Sequence, residues 1–255
     1  MAIDFYGPTL KVERAEKHIR ELEAIFDGYV ATHKEVITAK PDNDTREIMF
    51  GYRFPNLTPT IVGDAIHNLR AALDHAYCIL IEANGQRVDD SAMFPFVKHG
   101  KELEGRIRGR KEPNPVPSEP VIKTIIDSIQ PYEGGCTGLY GLHLLDRTDK
   151  HRVLIPGLLK TKLAGCTIRI VYPNGKRFEW TGGTFLTALS NPFSPAVFGL
   201  NPAGGRFEFD GDINSAFEIC FGEGQPFENE GIIGKLRELK AAVLKALNKL
   251  ERAAA

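Results

Sequence analysis

The chain has 255 residues, of which 42% are hydrophobic and 25% are charged. This length and composition are typical of a globular protein with a buried core and exclude a wholly disordered chain. The 32 basic and 33 acidic side chains nearly cancel, so no overall field attracts nucleic acid or a membrane surface.

The first third of the chain predicts two long helices separated by a hairpin. Apolar residues at spacings of three and four predict a helix from Leu10 to about His33. Two short β-like runs, Lys34 to Lys40 and Arg46 to Phe54, flank a turn-forming stretch and predict a β-hairpin. Thr58, followed by a proline, is a typical helix start, and the helix it opens is predicted to end near Gly85.

The rest of the chain predicts short helices, then strands, then one more helix. Gly105 to Pro120 holds four basic side chains and four of the sixteen prolines, which predicts a loop. Short helices are predicted at Val121 to Gln130 and Leu139 to Asp146. The runs CTIRIVY, KRFEW, GRFEFDG and AFEICF predict antiparallel strands. A stripe of leucines predicts an amphipathic helix from Ile232 to Leu250.

Helices and strands cluster along the chain instead of alternating, which predicts an α+β fold. The long N-terminal, second and C-terminal helices are expected to form a helical core, with an early β-hairpin and a small antiparallel sheet in the C-terminal half. Residues 1–150 are predicted to be a mainly helical part with the hairpin and the basic, proline-rich loop. Residues 151–228 are predicted to be a small β part, and residues 229–255 a helix that packs back on the helical part within one integrated domain.

Terminal and cysteine patterns indicate the compartment. The first residues lack the regions of a signal peptide, and no apolar run reaches the roughly 18 residues of a membrane span. We therefore expect a cytoplasmic protein with no membrane partner. The four cysteines form no C-x-x-C pair, which favours isolated thiols over a zinc ribbon or a thioredoxin-type site; they are Cys78, Cys136, Cys166 and Cys220.

The second helix carries an unusual polar face within the stretch GDAIHNLRAALDH, which begins at Gly63. A solvated helix face normally collects lysine and glutamate, whereas this one holds histidine, asparagine, aspartate and arginine. This composition favours a polar seam covered by another helix, a subunit or a ligand. At about 100° per residue the face divides into two sectors. The first sector holds Asp64, Asn68 and His75, and the second holds His67, Asp74 and Cys78.

Three chemistries fit this face. The first is metal binding, for which the candidate ligands are Asp64, His67, Asp74 and His75. Because these residues match no recognised metal-binding signature, we assign no metal and no cofactor, and metal binding stays the alternative. In a structural interpretation, the aspartates orient the histidines and the network fixes helix register or a homodimer. In a catalytic interpretation, Arg70 and His75, supported by Asn68 and Asp74, act on a phosphate, because histidine exchanges protons near neutral pH.

The six residues from Arg70 to His75 fit an R-x4-H motif. They resemble the ribonucleases of the HEPN (higher eukaryote and prokaryote nucleotide-binding) superfamily, over the motif and its helix. The resemblance implies a homodimeric, metal-independent endoribonuclease, a toxin or phage-defence effector, in which Arg70 binds the scissile phosphate of RNA and His75 moves protons. On a straight helix these two side chains diverge by about 140°, so their convergence requires a long arginine reach, a helix start near the motif or a second subunit.

A second polar cluster lies in the stretch LDRTDKHR. Lys150, His151 and Arg152 are predicted to present cations to a phosphate-bearing ligand, with Asp146 or Asp149 orienting a neighbour. The alternative is a charged connector with Asp149 as a cap. Together, HNLRAALDH and LDRTDKHR look like the two signature stretches of a set of uncharacterised bacterial and phage-associated proteins, which implies that the two clusters meet in one site.

Two further stretches complete the candidates. Arg106 and Arg108 alternate in the basic loop, where solvation is the default and contact with an RNA backbone is the functional alternative. A glycine-rich stretch around Cys136 lacks the spacing and the lysine of a P-loop. The leading hypothesis is a metal-independent ribonuclease, and its rivals are a non-catalytic binding or dimerisation protein and a metal-dependent hydrolase.

Overall fold

The structure, a computed structural model, describes residues 3–32, 37–38, 48–52, 57–89, 91–109, 115–150, 156–188, 196–200, 205–210 and 214–255. Helices and antiparallel strands occupy separate stretches of these residues, so the fold is α+β, as predicted. Long helices form a helical core, and the strands form an early hairpin and an antiparallel sheet in the C-terminal half. Within the described ranges, no helix is long and apolar enough to cross a membrane.

The helices follow the predicted order with one addition. Their bounds are α1 (Tyr6–Thr32), α2 (Thr58–Ala83), α3 (Leu103–Arg108), α4 (Glu119–Thr124), α5 (Thr137–Asp149) and α6 (Ile232–Ala254). A π-helical turn, Ile125–Ile129, continues α4. After α2, Gly85 has a φ of 74°, a left-handed conformation that glycine adopts without a steric penalty and that ends a helix.

The prediction of a loop from Gly105 to Pro120 is wrong at both ends, and at its end Glu119 and Pro120 already belong to α4. Gly105 lies inside α3, which begins at Leu103. Leu103 and Ile107 are both buried; residues four apart share one face of a helix, and burial of that face stabilises the turn. The prolines that predicted the loop begin only beyond the end of α3.

Strands β1 (Ile37–Thr38) and β2 (Ile48–Tyr52) pair antiparallel, so the predicted hairpin is confirmed. A further strand, β5 (Ala196–Leu200), pairs with the other edge of β2 and completes a three-stranded sheet. Strand β5 was not predicted from the sequence. It is short and has a proline-containing stretch on each side, and prolines disfavour strands.

The second sheet is built on β3 (Pro156–Val171), which begins well before the predicted start at Cys166. One edge of β3 pairs with β4 (Arg177–Ala188), and the other pairs with β7 (Asn214–Phe221) and then β6 (Arg206–Asp210). Each of the four predicted runs therefore contains strand residues. In this register Arg169 is opposite Glu179, and its Nε donates a 2.8 Å hydrogen bond to that carboxylate.

The chain divides into two compact units. The first comprises Met1–Glu21, Thr60–Leu154 and Ile233–Ala255, and the second comprises Leu22–Pro59 and Ile155–Ile232. Both sheets belong to the second unit, and α3, α4, α5 and nearly all of α2 belong to the first. The predicted boundaries at residues 150 and 228 remain predictions.

Apolar stripes on the long helices build the core of the first unit. Most apolar residues of α2 are buried, with Ala65, Ile66, Leu69 and Leu73 fully inaccessible to solvent. The α6 stripe is buried too, at Leu236, Leu239, Val243, Leu247 and Leu250. Between α6 and α1, Lys240 Nζ lies 2.6 Å from Glu16 Oε2, and this hydrogen bond lowers the pKa of Glu16.

Gly135, in the turn before α5, is expected to tolerate no side chain. A Cβ there would lie 2.4 Å from the carbonyl oxygen of Gln130 and 2.9 Å from the ring of Tyr132. Gly135→Ala is therefore expected to lower the free energy of unfolding by about 1–3 kcal/mol. The matched control is Gly105→Ala, because nothing lies within 4 Å of that Cβ and alanine favours a helix. Urea denaturation of both variants measures the difference, and equal stabilities would contradict the argument.

Candidate functional site

The two polar clusters singled out in the sequence meet where α5 packs against α2. His67 Nδ1 on α2 lies 3.0 Å from Asp146 Oδ1 on α5. Nζ of Lys150, the residue directly after the end of α5, lies 2.7 Å from Asp146 Oδ2. The Asp146 side chain is only 5% exposed, whereas those of His67 and Lys150 are 53% and 55% exposed. One buried carboxylate therefore holds an imidazole and an ammonium group that both reach solvent.

A glycine on α2 permits this close approach. A Cβ at Gly63 would lie 2.6 Å from both carboxylate oxygens of Asp149. Gly63 is one turn before His67 on α2, and Asp149 is near the end of α5. The absence of a side chain at Gly63 therefore lets the end of α5 approach α2 closely enough for Asp146 to reach His67.

The hydrogen bond to Asp146 defines which ring nitrogen of His67 is available. A carboxylate accepts a hydrogen bond, so Nδ1 is protonated, and in the neutral ring Nε2 carries the lone pair. In this tautomer Nε2 points away from the carboxylate and can accept a proton from a substrate and return it. His67 and Asp146 therefore form a pair suited to proton transfer, and Lys150 places a positive charge beside it.

Arg70 makes different contacts. Its side chain is 5% exposed, and it forms an ion pair with Asp74 one turn along α2. Nη2 donates a 3.3 Å hydrogen bond to the carbonyl oxygen of Phe94, and the guanidinium carbon lies 4.5 Å from the ring centre of Phe96. Asp74 Oδ1 accepts a 2.8 Å hydrogen bond from the backbone N–H of Phe94. Arg70 and Asp74 thus fasten the chain around Phe94 to α2.

The second sector of the polar face is therefore partly covered, as the composition favoured. Asp74 is covered through its contacts with Arg70 and with the Phe94 N–H, and Cys78 Sγ lies 3.7 Å from the carbonyl oxygen of Ala92. His67 belongs to this sector too but remains open to solvent beyond its contact with Asp146. Cys78, Cys136 and Cys220 are free thiols, and the Cys166 side chain lies outside those described.

The first sector faces another direction. Asp64 and His75 are exposed, and the Asn68 side chain donates a 2.8 Å hydrogen bond to the Asp64 carbonyl within the same helix. His75 Nδ1 would lie 3.9 Å from a Cβ at Gly7, on α1. Arg70 and His75 thus contact different parts of the chain and are not brought together within one chain. Their joint catalytic role stays a prediction.

The structure adds His143, which sequence reasoning missed. Its ring stacks on Phe96, with ring centres 4.7 Å apart and planes inclined by 4°. Phe96 also lies against the Arg70 guanidinium, so arginine, phenyl and imidazole groups form one contiguous stack. The signal was available, because His143 precedes Asp146 by three residues and so shares its side of α5.

Burial lowers the pKa of His143 to about 4, and the positive charges of Arg70, Arg147 and Lys150 act in the same direction, opposed by Asp146. The unfolded chain takes up a proton near the ordinary pKa of 6.5, so the stabilisation is present above pH 6.5 and is lost as the pH falls to 4. We expect a loss of about 2 kcal/mol across this window, allowing for the ring's partial exposure. Urea denaturation at pH 7 and pH 4.5 measures it, and His143→Phe should reduce the loss.

The other cationic residues predicted to bind a phosphate or RNA differ in their surroundings. Arg108 donates to Glu104 at 3.0 Å and to both oxygens of Glu119 at 2.6 and 2.9 Å, which raises its pKa. Its guanidinium is thus engaged by two carboxylates. Arg106 is exposed and lines a separate cavity. His151 and Arg152 lie outside the described residues.

The alternative metal ligands do not form a group. Across the described ranges, no three His, Cys, Asp or Glu side chains lie close enough together to hold a metal ion. Of the four predicted ligands, His67 instead contacts Asp146, and Asp74 contacts Arg70 and a backbone N–H.

Comparisons of the chain with models of known protein families, with curated proteins and with solved structures found no match. The resemblance to HEPN ribonucleases therefore stays a prediction from the R-x4-H motif.

Proposed function

We propose that the protein is a metal-independent endoribonuclease in which His67 is the acid/base residue. The observation that carries the proposal is the 3.0 Å contact between His67 Nδ1 and the buried Asp146 carboxylate. A buried carboxylate that orients a solvent-reaching imidazole is a recurrent arrangement for proton transfer in catalysis. The proposal moves the proton-transfer role from His75 to His67 and keeps the reaction class that the motif implied.

Each step has a group on this chain to perform it. His67 Nε2 takes the proton of a ribose 2′-hydroxyl, whose oxygen forms a bond to the neighbouring phosphorus. The bond from phosphorus to the 5′-oxygen of the next nucleotide breaks, and that oxygen takes the proton back from His67. The products are a 2′,3′-cyclic phosphate and a 5′-hydroxyl end. Lys150, 55% exposed, stabilises the charge that builds on the phosphate oxygens.

The second candidate is a non-catalytic binding or dimerisation protein. It is favoured by the burial of Arg70 and by its contacts with Asp74 and Phe94, which make the polar seam a structural device. As a ribonuclease, the protein would also have the role that the resemblance to HEPN ribonucleases implies. It would be a cytoplasmic toxin or phage-defence effector that acts as a homodimer.

The test is cleavage of a fluorescently labelled single-stranded RNA by the purified full chain in the presence of EDTA. We expect cleavage with 2′,3′-cyclic phosphate ends. Asp146→Asn is expected to reduce the rate about 10- to 100-fold and to change its pH profile, because an amide neither fixes the His67 tautomer nor balances its charge.

Asp127→Asn is the matched control, since Asp127 is exposed on the π-helical turn, and it should retain the wild-type rate. Cleavage that requires a divalent ion would overturn the proposal in favour of a metal-dependent hydrolase. No cleavage of any RNA tested, with a folded protein, would favour the non-catalytic candidate.

A further inference from the structure

Two cavities adjoin the C-terminal half of α6, and the same two lysines line both. The first, of about 280 Å³, lies between α6, the π-helical turn and the start of α5. The second, of about 460 Å³, is a groove whose described lining comes from α6. Lys245 and Lys249 belong to both linings, and Arg252 belongs to the second. Three cationic side chains therefore border two adjoining cavities.

These three residues form one stripe on the helix, called here the α6 cation stripe. Lys245, Lys249 and Arg252 are spaced by four and three residues, so at about 100° per residue they lie within about 60° of one another. At about 1.5 Å per residue the stripe is about 10 Å long. Ala241, one turn earlier, is small and lines the groove. Glu251 lies about 120° from Lys245 around the helix and faces another direction.

The cations of this stripe are not paired with carboxylates, unlike the lysine that precedes them on the same helix. Lys240 forms its ion pair with a glutamate of α1, at 2.6 Å. In the described part of the chain, Lys245 and Arg252 make no ion pair. Lys249 Nζ donates a 2.7 Å hydrogen bond to the uncharged carbonyl oxygen of Ser128, which leaves two of its three N–H groups for a ligand. The stripe therefore holds three positive charges that are available to an anion.

We propose that the α6 cation stripe binds the phosphate backbone of a single-stranded RNA. A polyanion complements a row of unpaired cations, and the release of its counterions favours binding. One strand of a stacked helix carries a phosphate about every 3.4 Å along its axis, so a stripe of about 10 Å matches about three phosphates. Asn248, which is exposed and lines the same groove, adds a neutral donor for a phosphate oxygen.

The burial of α6 favours RNA over an anionic membrane as the partner. A basic helix that binds a membrane places its apolar face in the lipid. The apolar face of α6 is already buried in the protein, at Leu236, Leu239, Val243, Leu247 and Leu250. Only the charged side of the helix is thus available, and this side borders a groove that suits a narrow strand.

The α6 cation stripe is connected to the proposed active site through α5. Leu139, near the start of α5, lines the smaller cavity together with the two lysines of the stripe. Asp146, which contacts His67, is seven residues further along α5, which corresponds to about 10 Å. The stripe and the His67–Asp146 pair are thus separated along α5 by the length of a few nucleotides. The choice of RNA as the polyanion rests on the proposed function.

The first experiment measures the fluorescence anisotropy of a labelled single-stranded RNA bound to the full-length His67→Ala chain, over a series of salt concentrations. Three phosphate contacts on a single strand contribute about 2 to the slope of log K against log salt. Replacing Lys245, Lys249 and Arg252 together by glutamine is therefore expected to weaken binding at least about 10-fold at low salt and to reduce this slope by about 2. An unchanged affinity and slope would overturn the proposal.

The matched control removes two lysines and one arginine elsewhere. Lys17, Arg87 and Lys101 are exposed and line neither cavity. Their joint replacement by glutamine, in the same His67→Ala background, should keep the RNA affinity within about 3-fold. An equal loss of affinity in both triple variants would mean that only net charge matters, which contradicts a defined stripe.

Thermal unfolding checks that the triple variants are folded. If the stripe variant is not, the single variants Lys245→Gln and Arg252→Gln replace it, because both side chains are exposed. Each should weaken RNA binding about 3-fold and reduce the salt slope by about 0.7. Single variants that bind as the His67→Ala chain does would overturn the proposal.

The second experiment separates the stripe from the proposed chemistry and compares cleavage by the wild-type chain with cleavage by the stripe variant that retains His67. We expect the RNA concentration for half-maximal cleavage to rise about 10-fold, with the maximal rate within about 2-fold of wild type. RNA binding that depends on the stripe, without cleavage by the wild-type chain, overturns the proposed function but not the stripe. An unchanged half-maximal concentration overturns the stripe alone. Stripe-dependent binding to phosphatidylserine vesicles, with RNA affinity unchanged, assigns the stripe to a membrane and also overturns the proposal.

Discussion

His67→Ala is expected to lower the rate of RNA cleavage about 100- to 10,000-fold, the range typical of losing a general acid/base residue. The protein should stay folded, because the His67 side chain is 53% exposed and its substitution leaves Asp146 paired with Lys150 at 2.7 Å. The measurement is the single-turnover cleavage rate at pH 7, with thermal unfolding as the check on folding. The effect should be on the rate of the chemical step more than on RNA affinity.

His75→Ala is the matched control for this prediction. Both residues are exposed histidines on α2, but His75 lies beside Gly7 on α1 and belongs to the other sector of the polar face. We expect this variant to keep most of the wild-type rate. If His75→Ala abolishes cleavage and His67→Ala does not, the R-x4-H interpretation is right and the role proposed for His67 is wrong.

Arg70→Ala is expected to lower the free energy of unfolding by about 3 kcal/mol. The substitution leaves the Asp74 carboxylate without its partner, removes the hydrogen bond to the Phe94 carbonyl and exposes one face of Phe96. Breaking one side of a buried ion pair costs more than the pair itself contributes, because the remaining charge is still desolvated. Urea denaturation at pH 7 measures the change.

The control for Arg70 is Arg87→Ala, an exposed arginine beyond the end of α2. Its unfolding free energy should stay within about 0.5 kcal/mol of wild type. An Arg70→Ala protein as stable as the Arg87→Ala protein would mean that Arg70 is not a structural residue. Its guanidinium would then be available to a ligand, as the R-x4-H motif implied.

Periodicity predicted most of the helical framework. The stripes on α1, α2 and α6 bury one face each, and burial is what a spacing of three and four reports. In α3 the same periodic signal is too short to predict a helix, because it consists of one pair of buried residues, Leu103 and Ile107. Strand β5 was missed because its pairing with β2 is a long-range property that local composition does not encode.

The candidate site was half predictable. Segregation on the α2 helical wheel placed His67 and Asp74 in one sector, and both are in polar contacts there. A helical wheel does not show which segment of the chain packs over a sector. It therefore could not predict the contact of His67 with Asp146 or that of Arg70 with Phe94. The role of Phe96 depends on packing between α2, α5 and an irregular segment, and no periodicity describes an irregular segment.

The contact between His67 and Asp146 joins residues 79 positions apart in the chain. Helix α2 can begin to form from local contacts alone, whereas closing a loop of this length costs chain entropy before the contact stabilises anything. We therefore expect the pair to assemble late in folding, after α2 has formed. During synthesis, before α5 has emerged from the ribosome, the nascent chain would carry an exposed His67 without the Asp146 carboxylate. Any activity that depends on this pair would thus be withheld until synthesis has passed the middle of the protein.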